Sequence, residues 1–332
     1  MSRPAASTGW RDLRVPAAWS VLAAGAAVVA ASLAGSLTGG APAILLGAIV
    51  ARAGMDAAAV ACVGLGLLGV LLPPDGTLRG GAGRELPVVQ SRADRALVAV
   101  SGAWLALVVL DLGLRAAAAY GRPLTSLSGN EIVLFATAVE AGRGLLLTAG
   151  CTAVVLGCAI VRVRNPHRMQ VRIPLVAALL GTLTPALTGH SGTDPDHQLA
   201  VVTVALHAGA AAVWVGGLGA MLVLIAGRRA LLDAALPRFS RLATVCLVAV
   251  AVTGVLNAAL RLSSWAALFG SGYGVLVLAK VVCLGLAAGL GGLARQRLAA
   301  RRTPVLRWAV YEVAVMAVAI GLAAALTQTA FS

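Results

Sequence analysis

The sequence predicts an all-α fold, a polytopic bundle of about nine transmembrane helices with its N-terminus inside and its C-terminus outside. Three observations predict it. Of the 332 residues, 60% are hydrophobic and 11% charged, whereas a soluble domain carries about 25% charged residues. The mean hydropathy of +0.93 exceeds what one globular core could hide, and a bilayer can solvate the surplus. Finally, the apolar residues come in blocks of roughly 18 to 25, the length a helix needs to cross the hydrocarbon layer.

Taken in order, the blocks place spans near 17–37, 55–72, 94–116, 141–162, 172–189, 199–226, 240–261, 273–296 and 304–328. The first follows Arg3, Arg11 and Arg14, as a signal peptide would. Its apolar stretch is longer than the roughly 7 to 15 residues of a signal core, so it reads as a retained span. Segment 41–53 is apolar but follows Pro42 and is interrupted by Arg52 and Asp56; it reads as an interfacial or re-entrant piece. Segments 73–93 and 117–140 read as the longest loops, and no stretch is left for a soluble domain. The spans divide into an N-terminal four-span region, 1–165, and a five-span domain, 166–332.

The cations set the orientation, because cytoplasmic loops carry the excess of Lys and Arg. With nine spans, twenty of the 26 cations fall in the segments on the N-terminal side, five fall on the other side, and Lys280 lies within a span. A wrong span count would scramble this alternation. The same dispersal excludes nucleic acid as a partner: the net charge of +14 is spread over separate loops, not along one face.

Aromatic residues make up only 4% of the chain, and Ala and Gly fill the blocks. Small residues let helix backbones approach in a membrane, and Gly35 with Gly39 and Gly285 with Gly289 have the small-x-x-x-small spacing. The five cysteines, Cys62, Cys151, Cys158, Cys246 and Cys283, all sit inside apolar blocks. They form no C-x-x-C and no cysteine-rich loop, so they read as small hydrophobes.

Chemistry concentrates in one place. The loop after the fifth span runs Gly189-His190-Ser191-Gly192-Thr193-Asp194-Pro195-Asp196-His197 and holds no Lys or Arg. Neutral imidazole and carboxylate are ligands for divalent transition metals, and the lack of nearby cations keeps such ions welcome. His190 and His197 are the candidate capture ligands, with Asp194 or Asp196 in support. His207 lies about 12 Å into the sixth span at 1.5 Å per residue, where an ionisable group marks a candidate functional site. His207, Trp214 and Met221 recur every seven residues and line one stripe. His167, among Arg162, Arg164, Arg168 and Arg172, reads as part of the basic surface.

Other polar groups lie at depth. Thr253, Asn257 and Arg261 follow at four-residue steps on the seventh span, Lys280 sits in the eighth and Glu312 in the ninth. A Lys280–Glu312 contact, direct or through water, is one arrangement that would spare both from facing lipid. Asp111 can pair with Arg115 at i+4. The chain has no Walker A loop, no D-K-T-G phosphorylation loop and no C-x-x-C-H haem attachment, which argues against a primary pump. Bis-histidine haem needs two facing imidazoles, and only His207 is well inside.

The C-terminal half resembles the CopD copper-resistance family of membrane proteins. The resemblance rests on Gly189-His190, the run from His207 through Trp214 to Gly216-Gly217-Leu218, and Arg238-Phe239-Ser240-Arg241-Leu242. It continues in Thr253-Gly254-Val255-Leu256-Asn257, Ser263-Ser264-Trp265, Tyr273-Gly274, Lys280 and Glu312. It covers about 172–328; the first four spans are similar only in general character to longer actinobacterial-type members. It implies copper handling at the bacterial inner membrane, as a multi-pass, non-enzymatic protein that takes up copper or supplies it to copper enzymes. Relatives work with a CopC-like periplasmic copper carrier or carry one fused, and others carry an oxidase-assembly module. Neither is present here, so the expected partners are the copper ion, a separate carrier and the lipid. The chain lacks Met-rich loops, which leaves capture to His and Asp; that fits Cu(II), and imidazole also binds Cu(I). The alternative expectation is a haem- or redox-linked factor for oxidase assembly that moves no copper.

Overall fold

The computed structural model describes residues 18, 20–29, 42–73, 81–187, 195–261, 272–299, 310–319 and 321. Among them every regular element is helical. There are ten α-helices: α1 (Ser20–Val29), α2 (Pro42–Leu71), α3 (Gly81–Tyr120), α4 (Gly129–Ala138), α5 (Glu140–Arg164), α6 (Arg172–Leu187), α7 (Pro195–Leu224), α8 (Arg229–Arg261), α9 (Gly272–Ala299) and α10 (Val310–Ala319). Five stretches are long and apolar enough to cross a membrane: Leu46–Leu71, Gly83–Tyr120, Glu140–Arg164, Gln198–Leu224 and Arg229–Leu260. Four shorter apolar helices are Ser20–Val29, Arg172–Thr184, Val277–Leu293 and Val310–Ala319. Each of the spans expected from sequence overlaps one of these stretches.

Three expected segments need correction, the third being the loop 117–140, which holds the end of α3 and the whole of α4. Segment 41–53 is not a separate re-entrant piece: from Pro42 onward it is the start of α2. Arg52 and Asp56 stand one turn apart, with Nε 3.2 Å from the carboxylate, so the charges that interrupt the hydropathy neutralise each other on one helix face. The expected loop 73–93 is helical from Gly81, where it begins α3 and buries Leu86 and Val89.

The connection from α3 to α5 is built by local chemistry. Gly121, with φ of 62°, takes the left-handed conformation that ends α3. Its N–H donates to Ala118 and that of Arg122 to Ala117, the paired bonds of a Schellman cap. Ser128 then caps α4: its hydroxyl accepts from the Glu131 N–H while the Glu131 carboxylate accepts from the Ser128 N–H at 2.7 Å. These bonds, with Arg122 at 2.9 Å, hold the half-buried Glu131 carboxyl below its usual range. Val139, extended, turns the chain sharply from α4 into α5. Gly142 makes the corner possible, since a Cβ there would strike the Phe135 carbonyl.

Two buried clusters share α2. One joins Leu67, Leu68 and Leu71 of α2 to Trp214 and Met221 of α7 and Phe239 of α8. The other joins Met55, Cys62 and Val63 of α2 to Trp104 of α3, Val155 of α5 and Ala178 of α6. Outward-facing valines and leucines on α5, α8 and α9, such as Leu147, Val255 and Val282, stay exposed, as lipid-facing side chains do. The close approach of backbones occurs where α2 meets α7: a Cβ on Gly64 would overlap the Gly216 carbonyl, and one on Gly216 the Val60 carbonyl. Gly285 and Gly289, expected to play this part, have open space at their Cβ positions among the described residues. Gly35 and Gly39 lie outside those residues.

A buried ion pair ties the other end together. Arg162 of α5 donates to both oxygens of Asp94 of α3, from Nε at 2.8 Å and from an Nη at 3.3 Å, and to the Met169 carbonyl at 2.7 Å. On the α5–α6 seam the Thr148 and Thr184 hydroxyls meet at 2.6 Å.

Candidate intramembrane metal site

Alternation of helix direction puts the N-terminal ends of α2, α5 and α7 and the C-terminal ends of α3 and α8 at one end of the bundle. The C-terminal end of α6 lies at that end as well. His190 and Asp194 lie outside the described residues, as do the side chains of Asp196 and His197, which open α7. His207, three turns further on, is described in full.

The His207 ring is half-buried between α7 and α8, with Nδ1 3.0 Å from the Thr253 hydroxyl oxygen. That hydroxyl has one proton, and it points along its own helix at the Ala249 carbonyl, 2.5 Å away, as buried threonines often do. The hydroxyl oxygen is thus the acceptor and Nδ1–H the donor. That arrangement calls for the tautomer with its proton on Nδ1 and its lone pair on Nε2, a form in which imidazole binds a metal. Gly254 lets the ring lie against α8, since its Cβ position is 3.5 Å from the ring edge.

One turn nearer the loop the pattern repeats. The Thr203 hydroxyl donates to Asn257 Oδ1 at 2.7 Å. Thr203 and His207 on α7 therefore face Asn257 and Thr253 on α8, two polar rungs in an otherwise apolar interface. Thr203 was not singled out from sequence, although its four-residue offset from His207 mirrors that between Thr253 and Asn257.

Lys280 of α9 is close enough for its charge to act on the His207 ring. Glu312 of α10 is buried, and its carboxylate lies 3.0 Å from the Cβ position of Gly291 on α9. Gly291 is eleven residues past Lys280, about 16 Å along the helix at 1.5 Å per residue. That is beyond the reach of the two side chains, so the direct contact considered from sequence is not made. Trp214 and Met221 sit in the buried apolar cluster. Among the described residues no group of three or more His, Cys, Asp or Glu side chains could close around a metal ion. The described part of the site therefore offers one imidazole with oxygen neighbours and no closed cage.

Two stretches of the chain match known families. Residues 42–199 match the model of the copper resistance protein D-like N-terminal domain, and residues 233–326 match that of copper resistance protein D. The N-terminal match carries the kinship well beyond the C-terminal half in which the sequence resemblance lay. The segment between the matches holds His207, Trp214 and Met221. No curated protein gives a match. No solved structure does either. With both family models matched in chain order on a bundle of membrane-length helices, the chain belongs to the CopD copper-resistance family.

Proposed function

We propose that the protein is a copper permease of the bacterial cytoplasmic membrane, working in the direction of uptake, and not an enzyme. The observation that carries the proposal is the His207–Thr253 pair. It supports a neutral imidazole with its metal-binding nitrogen prepared, one turn from a Thr203–Asn257 rung, inside a protein of a copper family. In this reading His190 and His197 capture the ion, with Asp194 or Asp196 in support, and a CopC-like carrier can deliver it. His207 passes it inward, with Trp214 as a wall and Met221 as the next soft donor on the stripe. Lys280 beside His207 keeps the ion from resting there, since conduction requires binding weak enough to release. Glu312 sets the field nearer the other end.

Elemental analysis of the purified protein, before and after copper loading, tests this. Stoichiometric copper in the wild type that is lost in His207→Ala is the expected result. Copper-free protein in both cases, with a Soret band, would transfer the role to haem-linked oxidase assembly.

A further inference from the structure

The turn that joins α5 to α6 carries a concentrated positive charge. Arg164, His167, Arg168 and Arg172 fall within nine residues, and the sequence holds no Asp or Glu between Glu140 and Asp194. Other basic segments carry acids of their own: Arg84 stands beside Glu85, and Arg229 four residues before Asp233. All four side chains of the turn are exposed, and among the described residues none of them forms an ion pair.

The turn is held from its inner side. Buried Arg162 gives its charge to Asp94 and donates to the Met169 carbonyl at 2.7 Å. Val171 packs on α2 at Gly69, where a Cβ would strike it. Within the turn, the Asn165 side chain accepts from the His167 N–H at 3.2 Å, and the Asn165 carbonyl accepts from the Arg168 N–H at 3.2 Å. A backbone fixed in this way loses little further freedom when a ligand binds to the side chains it presents.

The arginines also share a depth. Contacts of Thr148 with Thr184 and of Cys151 with Gly181 set α5 and α6 antiparallel, so Arg172 is level with Ile160. Arg164 is four residues, about 6 Å, further out, a step that long Arg side chains span. Beside them the surface turns apolar. Val163 on α5 and Ile173, Val176 and Leu180 on one face of α6 are exposed, as side chains that face acyl chains are.

The ligand that fits such a surface carries negative charge at the membrane boundary and hydrocarbon below it. We infer that the α5–α6 turn is a binding site for an anionic phospholipid. Its phosphate is held among Arg164, Arg168 and Arg172, and an acyl chain lies along Ile173, Val176 and Leu180. Each guanidinium offers phosphate two parallel N–H groups, and a basic cluster at the end of membrane helices is the arrangement that attracts anionic headgroups. A zwitterionic lipid brings its own ammonium into the cluster, and a free phosphate leaves the apolar flank uncovered. The inference does not depend on the copper reading.

Native mass spectrometry of the purified full-length protein, delipidated and then given phosphatidylglycerol or phosphatidylcholine, tests it. The expected result is a phosphatidylglycerol adduct in preference to a phosphatidylcholine one. Arg164→Gln, Arg168→Gln and Arg172→Gln should each weaken it about fivefold, the effect of one basic residue near an anionic surface. Arg229→Gln on α8 should leave it unchanged. Equal binding of the two lipids, or a triple arginine variant that binds phosphatidylglycerol as the wild type does, overturns the inference. If the triple variant does not insert, thermal melting of the wild type decides. Phosphatidylglycerol should raise the melting temperature, and phosphatidylcholine and inorganic phosphate should not. No rise with phosphatidylglycerol, or an equal rise with inorganic phosphate, overturns the lipid site.

Discussion

In the proposed copper route Thr253 sets which nitrogen of His207 is left for the metal, and it does so with one oxygen. Its proton is committed to Ala249, so only its lone pairs are left for the ring. Thr253→Val keeps the shape and removes the acceptor. We predict that copper affinity falls about 10- to 100-fold, the usual effect of losing a partner behind a ligand. Competition titration of the purified protein checks this, and Thr253→Val should add nothing once His207 is already Ala. At this scale the sequence was partly legible. His207 stood out because an imidazole deep in an apolar block is costly, and the Asp111–Arg115 pair followed from its spacing alone. Thr203 did not stand out, because a helical threonine can satisfy itself on its own backbone, as Thr182 does on Ala178 and as the Leu199 carbonyl, 2.8 Å away, also allows for Thr203. Only the register of α7 on α8 gives Thr203 its second partner, Asn257.

At the scale of elements, hydropathy located helices well and their ends poorly. Arg52 and Asp56 resembled a break in a span because a hydropathy window counts each charge separately, whereas on the helix they meet one turn apart. The start of α3 is similar: Arg84, Glu85, Arg92 and Asp94 lower its hydropathy, yet Leu86 and Val89 are fully in the core. The small-residue motif was sought where spacing was regular, but contact depends on which helix lies opposite. At the α2–α7 crossing neither Gly64 nor Gly216 has room for a side chain. We predict that Gly64→Leu or Gly216→Leu lowers stability by at least about 1–3 kcal/mol, the range for overpacking a close contact. Gly219→Ala, with nothing near its Cβ position on the same α7, should leave stability unchanged or slightly raised. Thermal melting followed by size-exclusion fluorescence distinguishes the two outcomes.

For the whole molecule, the family matches and the physical packing divide the chain differently. The N-terminal match runs to residue 199 and the C-terminal one starts at 233, so most of α7 belongs to neither. In space α7 is held from both sides, by α2 in one cluster and by α8 in the same cluster. The cation distribution predicts which end of this assembly meets the cytoplasm. A fluorescent protein fused after Arg168 should fold and fluoresce, and one fused after Leu127 should not, whereas alkaline phosphatase at the same points should give the opposite pattern. Equal signals at both points would reject the orientation. The membrane class and the family were legible from composition and from a few C-terminal motifs. The central place of α2 was not, because a helix buried on two sides carries no periodicity that names its neighbours.

The glycine crossing has a mechanical consequence. Main chain rests on main chain where Gly64 meets Gly216, so no rotamer change can open that seam. In the proposed copper route an ion passing beside α7 would keep to its α8 flank, and a movement that widens this flank would turn α7 about the crossing as a fulcrum. That backbone contact would then stay still while the polar rungs above it part and close.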